Sequence, residues 1–560
     1  MAATNRFDAI VIGSGISGGF AAKELTEKGL RVLMLDRGVM VEHGEGYPYD
    51  GKPAFEVPAR NIMPKPLVES DYFIAKHGYV VPSNQKFYND DRLNPYAYDE
   101  GSKFYWIRPA AVGGKSLIWG RWSFRWSEGD FEANKREGVA ADWPIRYDDV
   151  APWYSYVEKY IGVSGSRENL PYLPDSEFQP PMPMNVAEKW LKERLEGQFP
   201  GRKLIHSRLS NMTEDKPDQN RTKCQFRNQC GNGCSFGAYF STQAVTLPAA
   251  RATGRLTLQS DAVVTGIDYD PAKKKVTGVR YVDAKTGQAQ TVSANLVFVC
   301  ASAMGSVQIL MNSRAPGSER SHFDSSGTLG RYVMDHIFRV GVSGEIPGMD
   351  DLIEYGRRPG GVYVPRFRNL KGDEGLGFRR GYGYQGSAYR NAAKPVGFGA
   401  EMKHGMRRYG PWQFSMGAFG ECLPYEDNRV SLHSSKVDRF GMPLMKFDVT
   451  FRDNELKMMA DARREGEAML RAAGLKNVTS GESEHVPGDA IHEMGGARMG
   501  ADPRQSVLNK WSQAHDASNL YVTDGAQMAS VSCVNPSLTF MALTARAADH
   551  AVKGLKAGAV

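Results

Sequence analysis

The sequence predicts a mixed α/β fold in which a domain built on a parallel sheet is interleaved with a second domain built on a mainly antiparallel sheet. Three observations lead to it. Residues 7–38 read as strand, glycine turn, helix and strand, the repeating unit of a parallel sheet. The chain has 560 residues, more than the roughly 250 to 300 that one core accommodates, so two cores are expected. Residues 341–478 carry many Tyr, Trp, Phe and Arg side chains and few long helices, as a sheet-based domain would.

Each element follows from its residues. Ala9-Ile10-Val11-Ile12 is a continuous apolar run suited to a strand buried on both faces, and Gly13, Gly15 and Gly18 follow at G-x-G-x-x-G spacing. Gly13 permits the tight turn and Gly15 lets a pyrophosphate approach the backbone. Gly18 lets a helix from about Ser17 to Lys28 pack on the strand, its N-terminal N–H groups facing the anion. Gly29 stops the helix, Arg31 to Leu35 forms a second strand, and Asp36, followed by Arg37, stands where an acid accepts hydrogen bonds from an adenosine ribose. The expected ligand is a dinucleotide, and this segment alone leaves FAD and NAD both open.

Residues 39–98 are rich in Pro, Tyr, Asp and Asn and read as a long excursion over the surface or around the cofactor. In Arg108 to Trp126, Gly113, Gly114, Ser116 and Gly120 are interleaved with Trp119, Trp122 and Trp126. Such a turn either lets backbone approach a flat ligand or packs tryptophans. An amphipathic helix then runs from Tyr147 to about Ile161. Leu256 to Val282 reads as a β-meander with Val264 at its nucleotide-facing edge, and Ala294 to Leu310 as a strand turning at Ala301 into a helix, with Cys300 in the core. A second amphipathic helix is expected over Asn454 to Ala473. The terminal region places His492 before a double-glycine turn, then an acidic turn at Asp524-Gly525 and a loop with Asn535-Pro536. Either alone is ordinary; together, around a strand and a glycine turn, they mark a site.

Composition narrows the function classes. The formal charge of +7 is spread without a Lys/Arg block, which argues against nucleic acid but leaves an acidic partner protein open. No apolar run is long enough for a transmembrane helix, and MAATNRF is too short and polar for a cleavable signal, so no export address is expected. Of six cysteines, Cys224, Cys230 and Cys234 fall at C-x5-C-x3-C spacing with Gly231 and Gly233 between the last two. Three thiolates suffice for a three-iron cluster; zinc with a distant fourth ligand and an inert loop are the other readings.

The N-terminal fingerprint, Gly113-Gly114, Trp143-Pro144-Ile145, the His492 loop and the Asp524 to Pro536 terminus occur in the order seen in the glucose–methanol–choline oxidoreductases, which the chain resembles over nearly its whole length. The phrases SGGFAAKELTEKG and CQFRNQCGNGCSFGAYFSTQAVTLPAA are similar to those of bacterial sugar dehydrogenases and glycoside 3-dehydrogenases within that family. The resemblance implies a Rossmann-like FAD-binding domain over 1–130, 225–335 and 485–560, and a substrate-binding domain over 131–224 and 336–484. It favours FAD over NAD, bound non-covalently because no histidine occurs in Arg108 to Trp126. It implies His492 as base toward a substrate hydroxyl, Asn535 beside it, and Asp524, Gly525, Asn535 and Pro536 closing the flavin site. It further implies oxidation of a sugar or glycoside, and a 3Fe-4S cluster on Cys224, Cys230 and Cys234 passing electrons to a cytochrome. The implied compartment is the periplasm, reached with a small subunit that carries the export signal; the alternatives are a cytoplasmic enzyme and a peroxide-forming oxidase. His336 and Glu421 are read first as satisfied polar residues of the core, and otherwise as facing cofactor or substrate.

Overall fold

The strand Phe7–Ile12 lies at the centre of a five-stranded parallel sheet, with Ala294–Val299 and Leu520–Val522 on one side and Val32–Leu35 and Leu256–Gln259 on the other. The computed structural model describes residues 7–560 apart from 71, 77, 78, 355, 357, 372, 373, 394–396, 482 and 483. The polar start of the chain at 1–6, where no export signal is expected, lies outside the described residues. Ala9, Ile10 and Val11 are wholly buried because both faces of the sheet are covered. On the Ala9 and Val11 face, Ala21, Ala22 and Leu25 of the helix Ile16–Glu27 pack with Ala547, Ala548 and Ala551 of the terminal helix Ser537–Lys556. Ile10 and Ile12 belong to the larger core, with Leu33, Leu35, Val297 and Val299.

Leu256–Gln259 is not the first strand of the expected meander. It adds to the edge of the parallel sheet, pairing Leu33 with Thr257. Asp261, at φ +56, then redirects the chain, and only Ala262–Asp270, Lys275–Asp283 and Ala289–Val292 form the antiparallel three-stranded sheet.

The second domain is built on a six-stranded sheet ordered Lys476–Ser480, His336–Ile346, Trp412–Glu421, Tyr382–Tyr389, Val362–Val364 and Ile205–His206, all neighbours antiparallel. Its strands alternate, so one face is apolar: Val340, Val342, Tyr384, Phe414, Met416 and Ala418 are buried there. The helix Asp453–Ala472 covers that face with Met458, Met459, Met469 and Leu470, each contributing about 1.5–3 kcal/mol by burial. Gly466 permits this, since a Cβ there would stand 2.8 Å from a Val342 methyl. The opposite face, carrying the alternate residues, is directed toward the site.

Candidate active site

The glycine turn is shaped by close approach. Gly13 takes φ +96, and a Cβ on it would lie 2.4 Å from the Cys300 carbonyl oxygen, so the two central strands end side by side only with glycine there. Gly114, at φ +53, lies against Gly15, where an added Cβ would come within 2.9 Å of the Gly15 Cα. Ser14 joins the segments: its hydroxyl donates to Asp36 Oδ2 at 2.5 Å and accepts from the Gly113 N–H at 2.8 Å. Asp36 also accepts from the backbone N–H of Ser14 and of Gly38. The carboxylate expected at a ribose is thus also the brace of the glycine turn, and burial raises its pKa against these donors.

A cavity of about 340 Å³ runs from this turn to the antiparallel sheet. Of the expected cofactor residues, Gly13, Gly15, Ser17, Asp36, Arg37, Gly114, Trp119, Gly120, Val264, Ala301, Asp524, Gly525, Asn535 and Pro536 line it, as does His492. Gly18, Gly113 and Ser116 stand behind its wall. A Cβ on Gly18 would meet the Gly13 carbonyl oxygen at 1.9 Å, and Ser116 donates to the Gly113 carbonyl and accepts from Thr242 N–H. They shape the turn from outside the cavity.

At the far end four side chains form a directed chain of hydrogen bonds. His336 Nε2 lies 2.9 Å from the Ser532 carbonyl oxygen, which only accepts, so the His336 proton is on Nε2 and its Nδ1 is an acceptor. His492 Nδ1, 3.1 Å from His336 Nδ1, must then donate, leaving His492 Nε2 with a lone pair. Asn535 Nδ2 points at that lone pair from 3.2 Å, and Gln385 Nε2 donates to Asn535 Oδ1 at 2.6 Å, which fixes the amide's orientation. Burial, His336 and the Lys115 ammonium hold the His492 pKa well below the ordinary imidazole value, and burial lowers that of His336 to about 4. Both rings are neutral at pH 7. Asp335 braces the loop by accepting from the N–H of Gly488 at 2.7 Å and of His492 at 3.1 Å. Burial and the Glu493 carboxylate push the Asp335 pKa up to about 7.

His336 is therefore the buried neighbour of His492 as well as a residue of the core. Glu421 is a core residue, ion-paired at 2.8 Å with the buried Arg380. Sequence reasoning passed over four contributors. Lys115 and Glu493, ion-paired with each other across the wall, flank Gly114 and His492 in the chain, and that adjacency was their signal. Arg108 lines the cavity with buried Nε and Nη1 atoms that lack hydrogen-bond partners. Gln385 sits mid-strand and carried no local signal.

These features fit a dinucleotide: glycine backbone at the Gly15–Gly114 approach, a helix N-terminus at Ile16, and guanidinium donors of Arg108 left unsatisfied by the protein. For the cysteines, Cys224, Cys230 and Cys234 are unpaired, half-buried and line one small pocket, about 20 Å³ in volume. Among the described residues no group of side chains is close enough to hold a single metal ion. Tyr239, in the wall of this pocket, donates to the Leu117 carbonyl at 3.1 Å, and Leu117 is followed by the cavity-lining residues Ile118 to Trp122.

The cavity thus runs from a glycine turn that suits a dinucleotide to a neutral histidine hydrogen-bonded to an asparagine. The chain matches the GMC oxidoreductase N-terminal model over residues 7–338 and the C-terminal model over 424–544, and it belongs to that family. It is 27% identical to the fructose dehydrogenase large subunit of Gluconobacter japonicus, over 98% of each chain. It is 26% identical to 2-methyl-1,2-propanediol dehydrogenase of Mycolicibacterium austroafricanum, over 97% of this chain and 94% of that one. A formate oxidase variant from Aspergillus oryzae, solved for the effect of mutation on FAD modification, superposes over the whole of both chains with TM-score 0.62 at 14% identity, a likeness of fold. No helix among the described residues is long and apolar enough to cross a membrane.

Proposed function

We propose that the chain oxidises a secondary hydroxyl of a sugar or glycoside, the 3-hydroxyl of a pyranose, to the keto-sugar with non-covalent FAD. The observation that carries this reading is the hydrogen-bond chain that leaves His492 Nε2 as a neutral acceptor facing the cavity. A substrate hydroxyl entering beside Asn535 gives its proton to His492 Nε2, while the amide, which has two N–H groups, donates to the same oxygen. Loss of that proton drives the C–H electron pair out of the carbinol carbon as the C=O bond forms. Bound FAD supplies the acceptor for that hydride. Gly13, Gly15, Gly114, Asp36 and Arg108 would hold the dinucleotide, and Asp524 to Pro536 would close over it.

The same reading takes Cys224, Cys230 and Cys234 as ligands of a 3Fe-4S cluster through which electrons leave to a cytochrome c. It takes the enzyme as periplasmic, exported with a small subunit bearing the signal. Three unpaired thiols around one pocket, with Tyr239 and the 117–122 segment between that pocket and the cavity, support it. The second reading, an oxidase making peroxide, needs no cluster. Anaerobic iron and acid-labile sulfide analysis with EPR of the purified holoprotein tests the pair. About three irons per chain with a three-iron signal supports the dehydrogenase. Iron-free protein that consumes oxygen with sugar would support the oxidase.

A further inference from the structure

The open face of the six-stranded sheet continues the cavity. Gln385 and Phe419 line the cavity and belong to that face, and Phe338, whose ring lies 4.9 Å from Phe419, flanks them. Beside Gln385, directly across the sheet, stand Gly417 and then Gly341, and a Cβ added to either would meet nothing within 4 Å. Two adjacent strands thus lack side chains beside the cavity-lining Gln385, leaving a trough. The next row, reached two residues along each strand, is Ser387, Ser415 and Ser343, ending at the exposed Thr479. Among the described residues the Ser387 and Ser415 hydroxyls make no side-chain hydrogen bond. All these positions except Thr479 are half-buried rather than packed under another element.

On one side of Gln385 this face is closed by Tyr363, buried against Trp122 and Phe124, whereas on the other side the Gly417, Gly341 and serine positions are only half-buried. Its groups are hydroxyls and a side-chain amide, with no charged side chain in the first two rows. That chemistry suits an uncharged polyhydroxyl chain, because each hydroxyl can pair with ligand O–H groups without desolvating an ion. The two rows are about 6.7 Å apart, and counted from Phe419 of the cavity wall the face spans roughly 13 Å, more than one sugar ring. We propose that this face is a binding platform for the part of a saccharide that extends beyond the ring being oxidised. The inference rests on the reading of the cavity as a sugar-oxidising site and adds that the substrate class is a glycoside or oligosaccharide.

The test uses holoenzyme and a dye acceptor, with methyl α-glucopyranoside, maltose and maltotriose and the corresponding β-linked series. In the wild type kcat/KM should rise about tenfold from methyl glycoside to trisaccharide, the yield of two modest hydrogen bonds. Gly341→Val fills empty space and Ser415→Trp blocks the second row, and each should bring the trisaccharide-to-monosaccharide ratio close to one. A wild-type ratio near one, or a ratio that neither variant moves, overturns the platform. Should no saccharide reduce the flavin, it is the sugar-oxidation reading that fails. The platform is then judged by saturation-transfer NMR of maltotriose and cellotriose on oxidised holoenzyme: transfer abolished by Ser415→Trp upholds it, and absence of transfer, or transfer that the variant leaves intact, overturns it.

Discussion

Replacing His336 by Leu tests the logic of the site without touching the proposed base. In the native chain the Ser532 carbonyl fixes the His336 proton on Nε2, and His336 Nδ1 in turn fixes the His492 proton on Nδ1. Leucine is close to histidine in volume, so the cavity term is small, but the His492 Nδ1–H loses its acceptor in a buried place. An unsatisfied buried donor costs about 1–3 kcal/mol, and the ring can relieve it by moving its proton to Nε2, the atom that must accept from substrate. At about 1.4 kcal/mol per decade, the rate of flavin reduction should fall about 5- to 150-fold while FAD stays bound. His336→Gln offers an amide that both donates to Ser532 and accepts from His492, so it should recover most of that loss. Anaerobic stopped-flow reduction by substrate, measured across pH for the three proteins, reads the effect. A leucine variant as fast as wild type, or a glutamine variant no better than leucine, would refute the tautomer argument.

Further expectations follow from the same geometry. Lys115 lowers the His492 pKa, so Lys115→Met should raise it toward the ordinary value. The low-pH limb of the reduction rate, where the base becomes protonated, then moves to higher pH; a limb that stays in place or moves down contradicts this. Gly114→Val puts a Cβ at 2.9 Å from Gly15 in a left-handed backbone, and should yield folded protein depleted in FAD by flavin absorbance. The His336 imidazole, with folded pKa about 4 against 6.5 unfolded, stabilises the fold fully above pH 6.5. That stability, on the order of 3 kcal/mol, is lost as pH falls toward 4. Asp335 has the opposite sign: its carboxyl, with folded pKa about 7, favours the fold below pH 4 and loses that contribution as pH rises through 7. Asp335 is common to both proteins, so denaturant titrations should show wild type losing stability relative to His336→Gln as pH falls from 7 to 4.

Much of this was legible because it is local. The Phe7 to Asp36 unit could be read residue by residue, since an apolar run, three glycines and an acid each have one steric use at that spacing. Glycine and proline turns around His492 and Asn535 marked a site, but their roles were legible only through the family resemblance. What sequence could not supply was pairing at long range. Leu256–Gln259 has the same alternation in an edge strand of a parallel sheet as in a meander, and only its contact with Val32–Leu35 decides. The use of Gln385 depends on a strand register that brings it to Asn535, 150 residues on. His336 looked like a core residue because it is one, and its second role appears only when the His492 loop, tied to Asp335, is laid across it. The Gly341 and Gly417 trough is likewise a property of paired strands.

The measurement closest to the centre is anaerobic mixing of sugar with wild-type and His492→Ala holoproteins, followed by the visible flavin absorbance. Wild type should bleach, and the variant should keep its FAD, visible as an undiminished oxidised spectrum, and fail to bleach. Equal bleaching of both proteins would remove His492 from the chemistry and with it the mechanism argued from the hydrogen-bond chain.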